Sequence, residues 1–195
     1  MYLLRFCFGV NRAVTVSVAV LGLALLAVQG VVAEVVRTAD AGFAIEHSLM
    51  LPVSPEVAYD VMTGDISGWW DHSFSDSPKA FYIEPKPGGG FYEIYDDSGD
   101  GVLHATVIVA QRGKMLRYTG PLGLSGSAIT MVMTYHYEPK GEGTLVKVTV
   151  DASGNIEKGW DETVDGVWRH FLFERLKPYV ESGRYLEKPG FESDY

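Results

Sequence analysis

The hydrophobic positions of this chain change rhythm along its length. From Ala13 to Ala33 there is only an uncharged run rich in Val, Leu and Ala, behind Arg5 and Arg12. Phe43 to Leu51 (FAIEHSLML) then reads as a strand. Ser54 and Pro55 supply an N-cap and a first helical position, and Val57, Ala58, Val61 and Met62 recur at helical spacing, so a short helix is expected to end near Gly64. Ile66 to Phe74 follows as a second short helix or loop and carries Trp69 and Trp70 side by side.

Strand rhythm then takes over. Ala80 to Glu84, Phe91 to Tyr95, Val102 to Ala110, Met115 to Thr119, Ala128 to Tyr137 and Thr144 to Val150 are predicted as strands, punctuated by PKPGGG, DDSGDG, a Gly/Pro/Leu loop at Gly120 to Gly126, and PKGEG. From Trp160 to Glu181 the period becomes helical again: Trp160, Val164, Val167, Trp168, Phe171, Leu172, Leu176 and Tyr179 make one apolar stripe. Strands joined by short turns form an antiparallel meander, and one face of it must be covered. Only the last helix is long enough to do that. The expected fold class is α+β, a curved antiparallel sheet wrapped around a C-terminal helix, with two short helices after the first strand. A curved sheet and a straight helix cannot touch everywhere, so a cavity is expected between them.

Composition narrows the picture. With 195 residues, 47% hydrophobic and 21% charged, the chain fits one globular domain. Its N-terminal run, closed by the small residues Val31-Val32-Ala33, reads as a secretory signal peptide cleaved before Glu34, or as an uncleaved anchor. Both place the rest of the chain outside the cytoplasm, in the periplasm or beyond the cell. The expected division is 1–33 signal or anchor, 34–183 domain and 184–195 polar tail. The net charge of −9 becomes more negative without the leader, which excludes an electrostatic footprint for nucleic acid. The membrane enters only through the N-terminal segment, if it is not cleaved. Cys7 is the single cysteine and lies in the leader, so the domain has neither disulfides nor thiol chemistry.

Three stretches resemble a known group. LPVSPEVAYDVMTGDISGWW, EPKPGGGFYEIYDDSGDG and KGWDETVDGVWRHFLFERLKPYVE stand in the order found in the SRPBCC (START-like, birch-pollen-allergen-like) superfamily, and look like its branch of heat-shock-chaperone ATPase activators and polyketide cyclases. The resemblance spans Phe43 to Gly183. It implies the helix-grip fold and a hydrophobic cavity between sheet and long helix. It does not imply one chemistry, because fold analogy does not carry function. Members of this branch are usually cytosolic, whereas this chain carries a leader.

Candidate residues follow. Adjacent side chains do not share a face in regular structure, so of Trp69 and Trp70 one is expected to plug the core and the other to face the cavity mouth. A turn centred on Ser98 and Gly99 sets Glu93 directly across from His104, a usable acid/base pair. Its plainer reading is a solvent-facing ion pair, since Tyr92, Ile94, Leu103, Ala105 and Val107 make the more apolar face. Met131, Met133 and Tyr135 suit either pocket wall or core, and Trp168 lies on the helix stripe. His47 and His136 are expected outward, and His170 lies beside the stripe. No HExxH, no cysteine pair and no histidine pair at i, i+4 suggests a metal, and no Walker or nucleophile-elbow pattern suggests a cofactor or a serine nucleophile. Three functions remain: a module binding an apolar small molecule or lipid through Trp69, Trp70, Met131, Met133, Tyr135 and Trp168; a cyclase- or aromatase-type enzyme using Glu93 and His104; or an envelope protein-interaction domain.

Overall fold

The structure is a computed structural model in which residues 42–188 are described, together with the backbone of 34–39. The expected leader and the end of the tail lie outside these residues. The elements are β1 (Glu34–Ala39), β2 (Gly42–Leu51), α1 (Pro55–Val61), β3 (Gly64–Asp65), β4 (Ala80–Ile83), β5 (Gly90–Ile94), β6 (Gly101–Gln111), β7 (Met115–Gly120), β8 (Ile129–Lys140) and β9 (Gly143–Gly154). A continuous C-terminal helix follows as α2 (Trp160–Arg169), a π-helical segment (His170–Leu176) and α3 (Lys177–Glu181). The described strands form one antiparallel sheet of nine in the order β1-β2-β9-β8-β7-β6-β5-β4-β3.

The sheet folds around the helix because most of its inner positions are apolar. Ile45, Leu49 and Leu51 of β2, Met131, Met133 and Tyr135 of β8, and Val146, Val148 and Val150 of β9 are all buried. They meet Trp168, Phe171, Leu172 and Leu176 from the helix in one core cluster. Each such side chain taken out of water contributes roughly 1.5–3 kcal/mol of transfer free energy.

One expectation about elements needs correction. One short helix follows β2, not two. The Ser54 hydroxyl caps α1 by accepting from the Val57 amide at 3.3 Å, and Pro55 starts it. The tryptophan segment, in contrast, is a single turn in which Trp69 and Trp70 amides both reach the Ile66 carbonyl, at 3.1 and 2.9 Å. Asp65 closes this turn by accepting from the Ser67 amide at 2.9 Å. Gly68 lets it pack, since a Cβ there would stand 2.7 Å from the Tyr179 ring. The polar tail also begins ordered: Arg184–Glu187 is a 3-10 turn, and the Lys188 ammonium donates to the carbonyls of Asp60, at 2.6 Å, and Thr63. It thereby satisfies carbonyls that the end of α1 leaves open. Burial pulls the Lys188 amine down to about 8, against the partial support of Asp65 and Asp60.

Candidate functional site

A bulge builds the site. In the β5–β6 pairing Phe91 stands opposite Ala105 and Tyr92 opposite Leu103, so His104 is an extra residue without a partner. A bulge re-aims side chains and shifts the alternation of everything beyond it. Leu103 is therefore 53% exposed while His104 and Ala105 are both buried. Gly120 on β7 makes room for this, because a Cβ there would lie 2.4 Å from the His104 carbonyl oxygen. Glu93 pairs with Val102 and not with His104, since the hairpin turn is centred one residue earlier than symmetry about Ser98 and Gly99 requires. The two side chains still meet: His104 Nε2 donates to Glu93 Oε2 at 3.1 Å.

The face assignment of this pair is thus inverted relative to expectation. Glu93 and His104 are 1% and 3% exposed, and Phe91 beside them is fully buried. The solvent-facing ion pair does not exist. Burial at this place follows from what surrounds the carboxylate. Glu93 Oε1 accepts from the Ser73 hydroxyl and from the amides of Phe74 and Ser75, both at 3.0 Å, while Oε2 accepts from His104 and at 3.1 Å from Phe74. A charge so buried is stable only when fully bonded. Burial pushes the Glu93 carboxyl up, and these hydrogen bonds more than offset it, so the group is held below the ordinary carboxylate value.

His104 is the mirror case. Burial holds its imidazole below the ordinary value, and Glu93 and the Leu122 backbone, which favour the protonated ring, offset only part of that. With Glu93 ionised, Nε2 carries the proton, and the neutral ring presents Nδ1 as an acceptor. Nδ1 is buried and makes no hydrogen bond of good geometry, with the Leu122 backbone as its polar neighbour. Leu122 itself is the non-glycine residue with a left-handed backbone, φ 48°, among the described residues. Strain of this kind collects at functional sites.

His104 stands in the wall of a cavity of about 340 Å³ between the sheet, the helix and the 71–76 loop. Trp70, Trp168 and Phe171 form its aromatic side, and Leu122, Leu124 and Met131 its aliphatic side. Ser73 and Phe74, the residues held by Glu93, close the rim. Phe74 is 51% exposed there. The tryptophan pair does not separate as the adjacent-residue argument predicts: both rings are buried, at 3% and 6%, and pack edge-to-face on each other with centroids 5.8 Å apart. A turn, unlike a helix or strand, lets neighbours enter one core from two directions. Trp69 donates its indole N–H to the Val61 carbonyl at 3.3 Å and stays behind α1. Trp70 stacks on Phe171 at 3.8 Å and lines the cavity.

Solved structures resemble this arrangement. A Staphylococcus aureus protein of unknown function, SA2116, superposes with a TM-score of 0.54 at 12% identity, over 73% of this chain and 96% of its own. A Rhodobacter sphaeroides protein gives 0.54 at 13% identity, over 79% and 99%. The Chromobacterium violaceum protein CV1439 gives 0.50 at 18% identity, over 71% and 96%. No family model and no curated protein matches the chain. The chain has the helix-grip fold. At these identities the likeness concerns fold alone.

Of the residues singled out in the sequence, Trp70, Met131, Trp168 and His104 come together around the cavity. Met133, Tyr135 and Trp69 do not reach it. Met133 is fully buried between neighbouring strands, and the Tyr135 hydroxyl is spent on the Tyr118 hydroxyl at 2.6 Å. His47 is buried and not outward, because residues two apart on a strand share a face and Ile45 and Leu49 face the core. Phe74, Leu122, Leu124 and Phe171 are wall residues without an individual sequence signal. Phe171 had only its place on the helix stripe.

Proposed function

We propose that this is an exported binding module that takes an apolar small molecule or lipid into the cavity, with one N–H or O–H of the ligand donated to His104 Nδ1. The observation that carries the reading is the aromatic-walled cavity of about 340 Å³ with His104 in its wall. That size and lining suit small-molecule sites, which are mostly apolar with few placed polar groups. Glu93 has the positioning role. Its oxygens are occupied, so it fixes the His104 tautomer and ties down the rim at Ser73 to Ser75. The resemblance to the chaperone-activator and polyketide-cyclase branch agrees with a cavity protein.

The buried Glu93–His104 pair also favours a second reading, a cyclase- or aromatase-type enzyme. In it His104 Nδ1 is the general base and Glu93 orients the ring. The binding reading stands first because the cavity lining is mostly apolar.

Binding is tested by fluorescence titration of the full-length chain with phenylnaphthylamine, followed by displacement with naphthol and with naphthalene. Both should displace the probe, naphthol about 3–10-fold better, the worth of one hydrogen bond. His104→Phe should remove that preference and keep naphthalene binding. No displacement by either compound overturns the reading. Turnover of a hydroxylated aromatic or polyketone, lost in His104→Phe, would promote the second. Export is tested separately: the extracytoplasmic protein should begin at Glu34, and an intact Met1 in the soluble fraction would exclude cleavage.

A further inference from the structure

Asp71, His72 and His170 meet at the cavity rim, although 98 residues separate the two histidines in sequence. We propose that they form a binding site for a divalent transition metal of the zinc type. Their donor atoms all lie within 4.8 Å of one another. Asp71 Oδ1 is 3.1 Å from His72 Nδ1 and 3.0 Å from His170 Nε2. Donors bound to zinc at about 2.0–2.1 Å in a tetrahedral shell are roughly 3.3 Å apart. The two edges at Asp71 therefore need to open by only a few tenths of an ångström, and the edge between the two histidines lies within 4.8 Å, so an ion could replace the protons now shared between these atoms. Two imidazoles and one carboxylate suit zinc and its neighbours rather than calcium or magnesium, which take oxygen ligands.

The surroundings supply the outer support that such sites use. Glu174 Oε2 stands 3.0 Å from His170 Nδ1, so it accepts the proton of that nitrogen and leaves Nε2 for a metal. Arg175 Nε lies 3.1 Å from Asp71 Oδ2, the oxygen that His170 Nε2 also approaches at 2.9 Å. Its charge opposes a cation, and Asp71 and Glu174 outnumber it. His170, Glu174 and Arg175 all belong to the π-helical segment, and π segments recur at functional sites. Three protein ligands leave a position for water or for an anionic group of a cavity ligand, because His72 also lines the cavity.

The test is equilibrium dialysis of the full-length chain against Zn²⁺ alone, with Co²⁺ as a spectroscopic substitute. One saturable ion per chain is expected, with a Co²⁺ visible spectrum of a site containing nitrogen ligands. His72→Ala and His170→Ala should each weaken binding by at least ~10–100-fold, and Glu174→Gln by about 10-fold, as outer-shell changes do. His136→Ala, on β8, should change nothing. The absence of saturable binding overturns the proposal, and so does an affinity equal in the wild type and His72→Ala, which would place the ion elsewhere. If His170→Ala fails to fold, the exposed His72 decides alone. Naphthol displacement in the metal-free chain reads the cavity independently, so the two proposals fail separately.

Discussion

Two histidines on the inner face of the sheet each meet a carboxylate, and the pairs differ in what they can do. His104 lies 3.1 Å from Glu93, and His47 lies 3.2 Å from Asp165. Both imidazoles are buried, and burial holds both below their ordinary value. Distance alone does not separate them. The carboxylates do. Glu93 is fixed by Ser73, Phe74 and Ser75, so it can only orient His104. Asp165 is engaged through Oδ2 by Arg169 at 2.7 Å, and its Oδ1 makes no hydrogen bond of good geometry to His47. His47 packs against the Phe173 ring at 6.1 Å, whereas His104 faces a cavity. A buried ion pair becomes a functional unit when one partner is immobilised and the other borders a cavity.

The largest expected effect comes from removing the immobilised partner. Glu93→Ala should cost about 3–5 kcal/mol in urea unfolding, the toll of breaking a buried pair and stranding its donors. Glu93→Gln keeps the shape, should cost less, and should loosen the rim so that phenylnaphthylamine binds more weakly. A Glu93→Ala cost below about 1 kcal/mol would make this carboxylate no different from Asp165. The tryptophan pair puts the same question to apolar groups. Trp69→Ala and Trp70→Ala should each cost about 3–5 kcal/mol as core truncations. Only Trp70→Ala should alter probe binding, because only its ring touches the cavity.

Much of this architecture was legible in the sequence. The apolar stripe from Trp160 to Tyr179 and the strand alternation of β2, β8 and β9 each follow one period, and period determines face. The site was less legible because it rests on departures from period. One extra residue at His104 turned His104 inward and Leu103 outward while Ala105 and Val107 kept their expected inward face, and no alternation argument can see an insertion within a run of plausible strand residues. The tryptophan pair sits in a turn, where adjacent side chains are free of the rule that separates them. His72 and His170 come from a loop and a π-helical segment, and only tertiary packing brings them together. Glu93 was visible as a candidate, but its donors from Ser73 to Ser75 were not, since that loop has no periodic pattern.

A smaller effect separates the histidines by pH. His104 is held below 6.5, so Nδ1 is an acceptor above its folded pKa and is lost as pH falls through it. The preference for naphthol over naphthalene, about 3–10-fold at neutral pH, should therefore vanish on acidification. Naphthalene affinity should persist while the fold does. Both histidines also contribute to acid sensitivity: the unfolded chain binds their protons more readily, so stability falls as pH drops below about 6.5. His47→Gln should relieve part of that loss without touching the naphthol preference. A preference that shifts with His47→Gln would mean that the two pairs are coupled through the helix.

The smallest effect belongs to Asp165. Its side chain is 17% exposed, and its firm bond is to Arg169 four residues along the helix. An exposed pair of that spacing is worth about 0.3–0.5 kcal/mol. The contact with His47 adds little, because Oδ1 and Nε2 are close without being aligned. Asp165→Asn keeps the size and the acceptor oxygen, so the expected loss is under about 1 kcal/mol in urea unfolding, with probe binding and the naphthol preference unchanged. The same substitution type at Glu93 removes a charge that four residues bond at once. If Asp165→Asn costs as much as Glu93→Gln, the number of donors around a buried carboxylate is not what distinguishes these pairs, and the positioning role given to Glu93 falls with it.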